Sequence, residues 1–142
     1  MKVRACTNTF FCKCLALFDE NAYIETMKIA AIILAAGQGT RLKSALPKPL
    51  HRIGGRPMLA WSLDAAIATN ASRIITVLPS QHEQIQDWLD GRDFCIQDKP
   101  LGTGHAVLAT LPMLADFDGV ALIMFADTPL VTANTLNQLA SS

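Results

Sequence analysis

Three short stretches of this chain carry the residue types that handle phosphate and metal. The first reads Leu34, Ala35, Ala36, Gly37, Gln38, Gly39, Thr40, Arg41. Small residues let the backbone turn tightly there, so that successive N–H groups can point inward and cradle phosphate oxygens. Arg41 adds a planar positive fork. The stretch is not a dinucleotide fingerprint, because Leu42 stands where the third glycine of Gly-x-Gly-x-x-Gly would be, and no Gly-Lys-Ser/Thr follows to make a P-loop. Lys48 follows between Pro47 and Pro49. Two proline rings are expected to hold that segment extended and keep it out of a helix. A second cation on a stiffened loop is what a polyphosphate needs. Taken singly, the glycines also fit an ordinary turn and Lys48 a solvated lysine.

Asp127 follows an apolar run and precedes Thr128 and Pro129. A carboxylate there can hold Mg²⁺ that also touches phosphate oxygens, or it can simply form a turn or cap a helix. The third stretch reads Gln97, Asp98, Lys99, Pro100, Leu101, Gly102, Thr103, Gly104, His105. Its glycines and threonine offer backbone and hydroxyl groups to a flat polar ring, and the Gln97 amide could pair with a base edge. His105 reads as a capping or packing histidine, since no Ser or Cys nucleophile with an acidic partner is evident.

The elements that must position these residues follow from the apolar pattern. Residues 28–34, 73–78, 94–97 and 120–126 read as strands, the first a continuous apolar run of the kind buried on both faces. A helix is expected from Pro57 to a stop at Asn70, with Leu59, Leu63, Ala66 and Ile67 at helical spacing. Ser80 and Glu83 predict a capping box opening a second helix that runs to Gly91. Val107, Leu108, Leu111 and Leu114 mark a third, kinked or shortened by Pro112, and Thr132 caps a fourth that carries Leu136 and Leu139. Strands alternating with helices imply an α/β fold with a doubly wound parallel sheet, whose ligands bind beyond the carboxyl ends of the strands. That rule selects the three stretches above.

Composition narrows the function classes. With 12 Lys plus Arg against 12 Asp plus Glu, the balance argues against a nucleic-acid coating protein or a polybasic membrane binder. The apolar fraction of 51% over 142 residues supports one packed domain. No apolar run approaches the roughly 20 residues of a membrane-spanning helix. Residues 1–26 lack a sustained period and read as an extension of unknown role before a domain over residues 27–142. Cys6, Cys12, Cys14 and Cys95 lack zinc-ribbon spacing and fit reduced thiols in a cytoplasmic protein.

Taken together, Leu34 through Arg41, then Pro47, Lys48, Leu50, His51, Ile53, Gly54, Gly55, Pro57 and Met58, then the run Leu101, Gly102, Thr103, Gly104, His105 and the run Asp127, Thr128, Pro129, Leu130 resemble the sugar nucleotidyltransferase superfamily, with its MobA-like NTP transferase domain. The Leu50–His51 pair and the Leu-Gly-Thr-Gly-His run favour the hexosamine-phosphate branch, the uridylyltransferase domains of bacterial bifunctional enzymes that make UDP-N-acetylglucosamine. The resemblance implies a Rossmann-like nucleotide-diphospho-sugar transferase fold, here as its N-terminal part. It implies nucleotide binding by Leu34, Ala36, Gly37, Gly39 and Thr40, phosphates on Arg41 and Lys48, the uracil and ribose side on Gln97, Gly102 and Thr103, and Mg²⁺ on Asp127. The substrates implied are UTP and a sugar 1-phosphate, with UMP transfer releasing pyrophosphate. Pro100 stands where the family usually has a base-contacting Gln, and Ala126 where a Gly commonly precedes the metal aspartate. The family's sugar-binding half and second metal ligand lie in sequence beyond Ser142, so the chain alone is expected to bind UTP weakly, to turn over poorly, and to pair through an open sheet edge, leaving a homo-oligomer open. A nucleotide-binding fragment without turnover, or a transferase for another sugar phosphate or for molybdopterin, are the alternative readings.

Overall fold

Isoleucine, alanine and leucine fill every position of the first apolar run so that both sides of the strand carry only apolar groups, and β1 (Ile29–Leu34) accordingly lies at the inside of a sheet. The structure, a computed structural model, describes residues 28–37 and 39–142. The extension over residues 1–26 and Cys6, Cys12 and Cys14 lie outside the described residues. Three further strands, β4 (Arg73–Pro79), β5 (Phe94–Gln97) and β6 (Val120–Phe125), join β1 in the order β5-β4-β1-β6, every pairing parallel. Two-residue strands β2 (Arg52–Ile53) and β3 (Arg56–Pro57) form a separate hairpin.

The period of two in a strand sorts its side chains onto two faces. Ala31 and Ile33 of β1 meet Leu59, Leu63 and Ala66 of α1 (Met58–Ala68), Ile85 of α2 (Glu83–Gln86), and Leu136 and Ala140 of α4 (Ala133–Ala140). On the other face Ala30, Ile32 and Leu34 meet Ile75, Val77, Ala106 of α3 (Thr103–Leu108), and Leu114 of a 3₁₀ turn (Leu111–Leu114). Helices thus cover both faces, as a doubly wound sheet requires. The chain leaves β1 towards β4 and β5, then crosses back to place β6 on β1's other side. The order of strands therefore reverses at β1 and β6, and the loops after these two strands diverge to open a crevice.

Several local expectations need correction. Ser80 and Glu83 do not form a capping box: β4 runs on through Pro79, so Ser80 and Gln81 are used in turning, and His82 becomes the N-cap without a side-chain cap bond. The second helix is then a single turn, continued to Leu89 only by turn-type hydrogen bonds. Pro112 does not kink one long helix but opens a separate 3₁₀ turn, as a residue without an N–H can. Pro57 precedes α1 as its N-cap rather than occupying its first turn. Thr132 caps α4 as expected, its side chain accepting from the Thr135 N–H. The hairpin is unforeseen, although Gly54 and Gly55 at its turn, with φ of 59° and 81°, are a recognisable signal for it.

Candidate functional site

The crevice at the strand ends is an open cavity of about 330 Å³. Its floor comes from the ends of β1 and β6. Backbone hydrogen bonds prolong the sheet pairing just past the strands, from Ala35 to Val77 of β4 and from Ala126 to Leu34, so the ends of β1 and β6 stay side by side before their loops part. Thr128 turns the chain away after Asp127, its hydroxyl donating to the Phe125 carbonyl at 2.9 Å.

One wall is the Lys48 segment. It is not extended: Lys48–Leu50 makes a 3₁₀ turn with Pro47 as its N-cap and Pro49 within it, since proline's missing N–H has no partner to find in a first turn. Pro49 and Leu50 are buried and anchor the turn, leaving Lys48 at the cavity wall. The Lys48 ammonium pairs with the Asp127 carboxylate, Nζ to Oδ2, across the cavity mouth. Each side chain is about one-third exposed, 35% and 36%, so solvent can still reach both.

The opposite wall runs from the end of β5 through the following loop into α3, contributing Gln97, Pro100, Gly102, Thr103 and Ala106. Gly102 has φ of 98°, a conformation that favours glycine. That conformation presents its carbonyl to Gln97, whose Nε2 donates to it at 3.0 Å. The same Nε2 lies 3.2 Å from His105 Nδ1. Gln97 is 7% exposed, a buried amide at the edge of a cavity.

Of the residues singled out in sequence, Leu34, Ala36, Gly37, Lys48, Gln97, Gly102, Thr103 and Asp127 line this one cavity. Gly39 does not line it but lies against Lys48, and a Cβ placed there would come within 2.7 Å of the Lys48 Cβ. Thr40 and Arg41 belong to a 3₁₀ turn (Thr40–Leu42), and Arg41 is exposed and outside the lining. Sequence reasoning did not pick out the apolar lining of Ala35, Pro49, Ala106 and Phe125, whose only signal was adjacency to the motifs. Its reading of His105 as a packing residue omitted the contact with Gln97.

Oxygen donors suited to a hard cation are represented here by Asp127. No cluster of three or more His, Cys, Asp or Glu occurs among the described residues, so no all-protein cage is present there. A single carboxylate fits Mg²⁺ of the kind held jointly with substrate phosphates. The half-buried Cys95 on β5 has its thiol pushed up by burial, which makes it a poor nucleophile or ligand. Among the described residues no helix is long and apolar enough to cross a membrane.

Comparison with known proteins gives the same picture from a different side. Residues 31–142 match the model of the MobA-like NTP transferase domain. The bifunctional protein GlmU of Geotalea uraniireducens (strain Rf4) is 44% identical over 114 residues, covering 78% of this chain and 25% of that protein. GlmU of Maricaulis maris (strain MCS10) is 50% identical over 109 residues, covering 75% and 24%. The chain spans about a quarter of the length of the curated relatives it matches. Among solved structures, Rv0371c of Mycobacterium tuberculosis H37Rv superimposes with a TM-score of 0.70 at 22% identity over 80% of this chain and 60% of that one. The manganese complex of the same mycobacterial protein gives 0.61 at 23% identity over 80% and 58%. Both share the fold.

Proposed function

Because the chain belongs to the MobA-like NTP transferase domain family, a family of nucleotidyltransferases, we propose that it forms the nucleotide-binding part of a cytoplasmic enzyme that transfers UMP from UTP to N-acetylglucosamine 1-phosphate. The observation that carries this reading is the meeting of Lys48, Asp127 and Gln97, from three separate segments, in one cavity at the sheet's switch point. Identity of 44% and 50% to two GlmU proteins supports the choice of UTP and an aminosugar phosphate over other members of the family.

In the proposed reaction a phosphate oxygen of the sugar 1-phosphate attacks the α-phosphorus of UTP. A new P–O bond forms, the bond to the bridging α–β oxygen breaks, and its electron pair leaves with pyrophosphate. No protein nucleophile is needed, and the cavity lining among the described residues contains neither Ser nor Cys. Catalysis then rests on holding the reactants in line and on neutralising charge. Leu34, Ala36 and Gly37 pack along the nucleotide, with Gly39 and Thr40 continuing the phosphate loop. Lys48 and Arg41 are the cations for the phosphates, Lys48 from the cavity wall and Arg41 from the exposed turn that follows the phosphate loop. Gln97, Gly102 and Thr103 hold the base and ribose. Asp127 would hold a divalent cation, Mg²⁺ in this reading, which when bound offsets charge on the phosphates and helps orient them. A manganese complex of the fold neighbour Rv0371c supports a divalent ion in this fold.

Calorimetric titration with UTP, ATP and GTP, each with and without Mg²⁺, followed by an assay of pyrophosphate release on adding N-acetylglucosamine 1-phosphate, tests the proposal. UTP binding that requires Mg²⁺ and exceeds that of the purine nucleotides is expected. Failure to bind UTP, or indifference to the base, would overturn it.

A further inference from the structure

Gln97 is nine-tenths buried, yet only one end of its amide is engaged. Nε2 donates to the Gly102 carbonyl and faces His105 Nδ1, whereas Oε1 takes no hydrogen bond among the described residues. A carbonyl can only accept, so the Gly102 contact settles which end of the amide is nitrogen. The second amide proton must then go to His105 Nδ1 as an acceptor, which places the proton of the neutral imidazole on Nε2. Gly102 O meanwhile also accepts from the Ala106 N–H at 3.2 Å, using its second lone pair to start α3. Loop, helix and histidine thus hold both amide hydrogens and leave Oε1 as the group of this side chain that a ligand can use.

We propose that His105 is a positioning residue that holds the Gln97 amide in the orientation the Gly102 carbonyl favours, so that the cavity presents an acceptor and selects a base offering a ring N–H. The inference rests on the transferase reading and deepens it. Uracil has a donor at N3, whereas cytosine carries a lone pair there. In a pose that sets uracil N3–H on Gln97 Oε1, cytosine brings two acceptors face to face and is rejected. Without an acceptor at position 105 one amide hydrogen loses its partner and only the Gly102 carbonyl still opposes a turn of the amide, so Oε1 is held less firmly towards the base.

The test uses the intact chain and three proteins: wild type, His105→Phe, which keeps a flat ring and removes the acceptor, and His105→Asn, whose Oδ1 can replace Nδ1. UTP and CTP affinities are measured with Mg²⁺, and long-range ¹H–¹⁵N spectra report the His105 tautomer without any nucleotide. The expected results are an Nε2-protonated His105 in wild type, a UTP-over-CTP ratio that falls about threefold to tenfold in His105→Phe, on the order of one hydrogen bond, and recovery of the ratio in His105→Asn. A merely structural role would weaken both nucleotides alike and leave the ratio unchanged. UTP binding with an unchanged ratio, or a His105 protonated on Nδ1, would overturn this inference while leaving the transferase reading intact. Loss of all nucleotide binding in wild type would overturn both.

Discussion

Lys48 and Asp127, 79 positions apart in the chain, meet as an ion pair across the mouth of the cavity. Under the transferase reading each has another partner in the loaded state, phosphate for Lys48 and the divalent cation for Asp127. On that reading the two charges would neutralise each other in the empty site and would give up this pairing when the divalent cation and the triphosphate bind.

Separate substitutions should therefore act in opposite senses on the metal alone. Lys48→Met is expected to weaken UTP binding roughly tenfold or more, the loss of a hydrogen bond to a charged group. It should also strengthen binding of Mn²⁺ in the absence of nucleotide, because it frees the carboxylate. Asp127→Asn should abolish the dependence of UTP binding on divalent metal. Titrations of Mn²⁺ followed by its paramagnetic resonance signal, with calorimetry for UTP, check both. Weaker Mn²⁺ binding in Lys48→Met would contradict the exchange.

Gly39 has φ of 59°, and an added Cβ would stand 2.7 Å from Lys48 Cβ and 3.4 Å from its Cγ. The near atom is the root of the lysine side chain and cannot swing aside without moving the turn. Gly39→Ala should cost about 1 to 2 kcal/mol from the left-handed conformation alone and in addition displace Lys48. Thermal melting and UTP titration should show both effects, and an unchanged UTP affinity would mean that the loop accommodates the methyl without moving Lys48.

Arg41 is exposed on its 3₁₀ turn and makes no ion pair among the described residues. Arg41→Ala should accordingly leave the melting temperature within about a degree or two, as for a surface change. Activity, measured as pyrophosphate release in a form of the protein that turns over, should fall roughly a hundredfold or more, with a smaller effect on UTP affinity, if the fork acts on charge that develops during reaction. A rise in KM alone would make Arg41 a ground-state anchor.

Far from the cavity, the Arg73 guanidinium grips Asp116 with two hydrogen bonds of 2.9 and 2.8 Å. The hydrogen bond from Arg73 holds the Asp116 carboxyl below its ordinary value, with a local backbone hydrogen bond and the guanidinium charge adding to it. A carboxyl group lowered by folding contributes stability above its unfolded pKa and loses it as the pH falls through the folded value. Asp116→Asn should thus melt slightly below wild type at neutral pH, by little because the pair is exposed. The two curves should converge once the pH is well below the usual aspartate value of about 3.9. A constant difference down to acid pH would remove the ion pair as its cause.

The strand ends illustrate how much of the site could be read from residues in order. Continuous apolar runs mark β1, which is buried on both faces and has no room for polar side chains, and β6, and the first and last motifs sit immediately after them, whereas the Gln97 motif follows the short β5. The caps were less legible. Thr132 behaves as its type suggests, but Ser80 does not, because β4 continues one residue further than its apolar run and consumes the serine in a turn. Lys48 between two prolines read as extended backbone, whereas burial of Pro49 and Leu50 curls the segment into a turn.

By itself, the sequence determined the alternation of strand and helix, the three loops that carry chemistry and the family resemblance, all of which depend on local periodicity and residue type. Tertiary structure alone decided which of those residues meet. Parallel pairing of β6 with β1 brings Asp127 to Lys48, and the path of the β5–α3 loop gives both amide hydrogens of Gln97 to Gly102 and His105 while Arg41 stays outside the cavity. The physical reason is that partner choice depends on strand order and on which carbonyl or ring nitrogen lies within about 3 Å of a donor, distances set by packing between segments far apart in the chain.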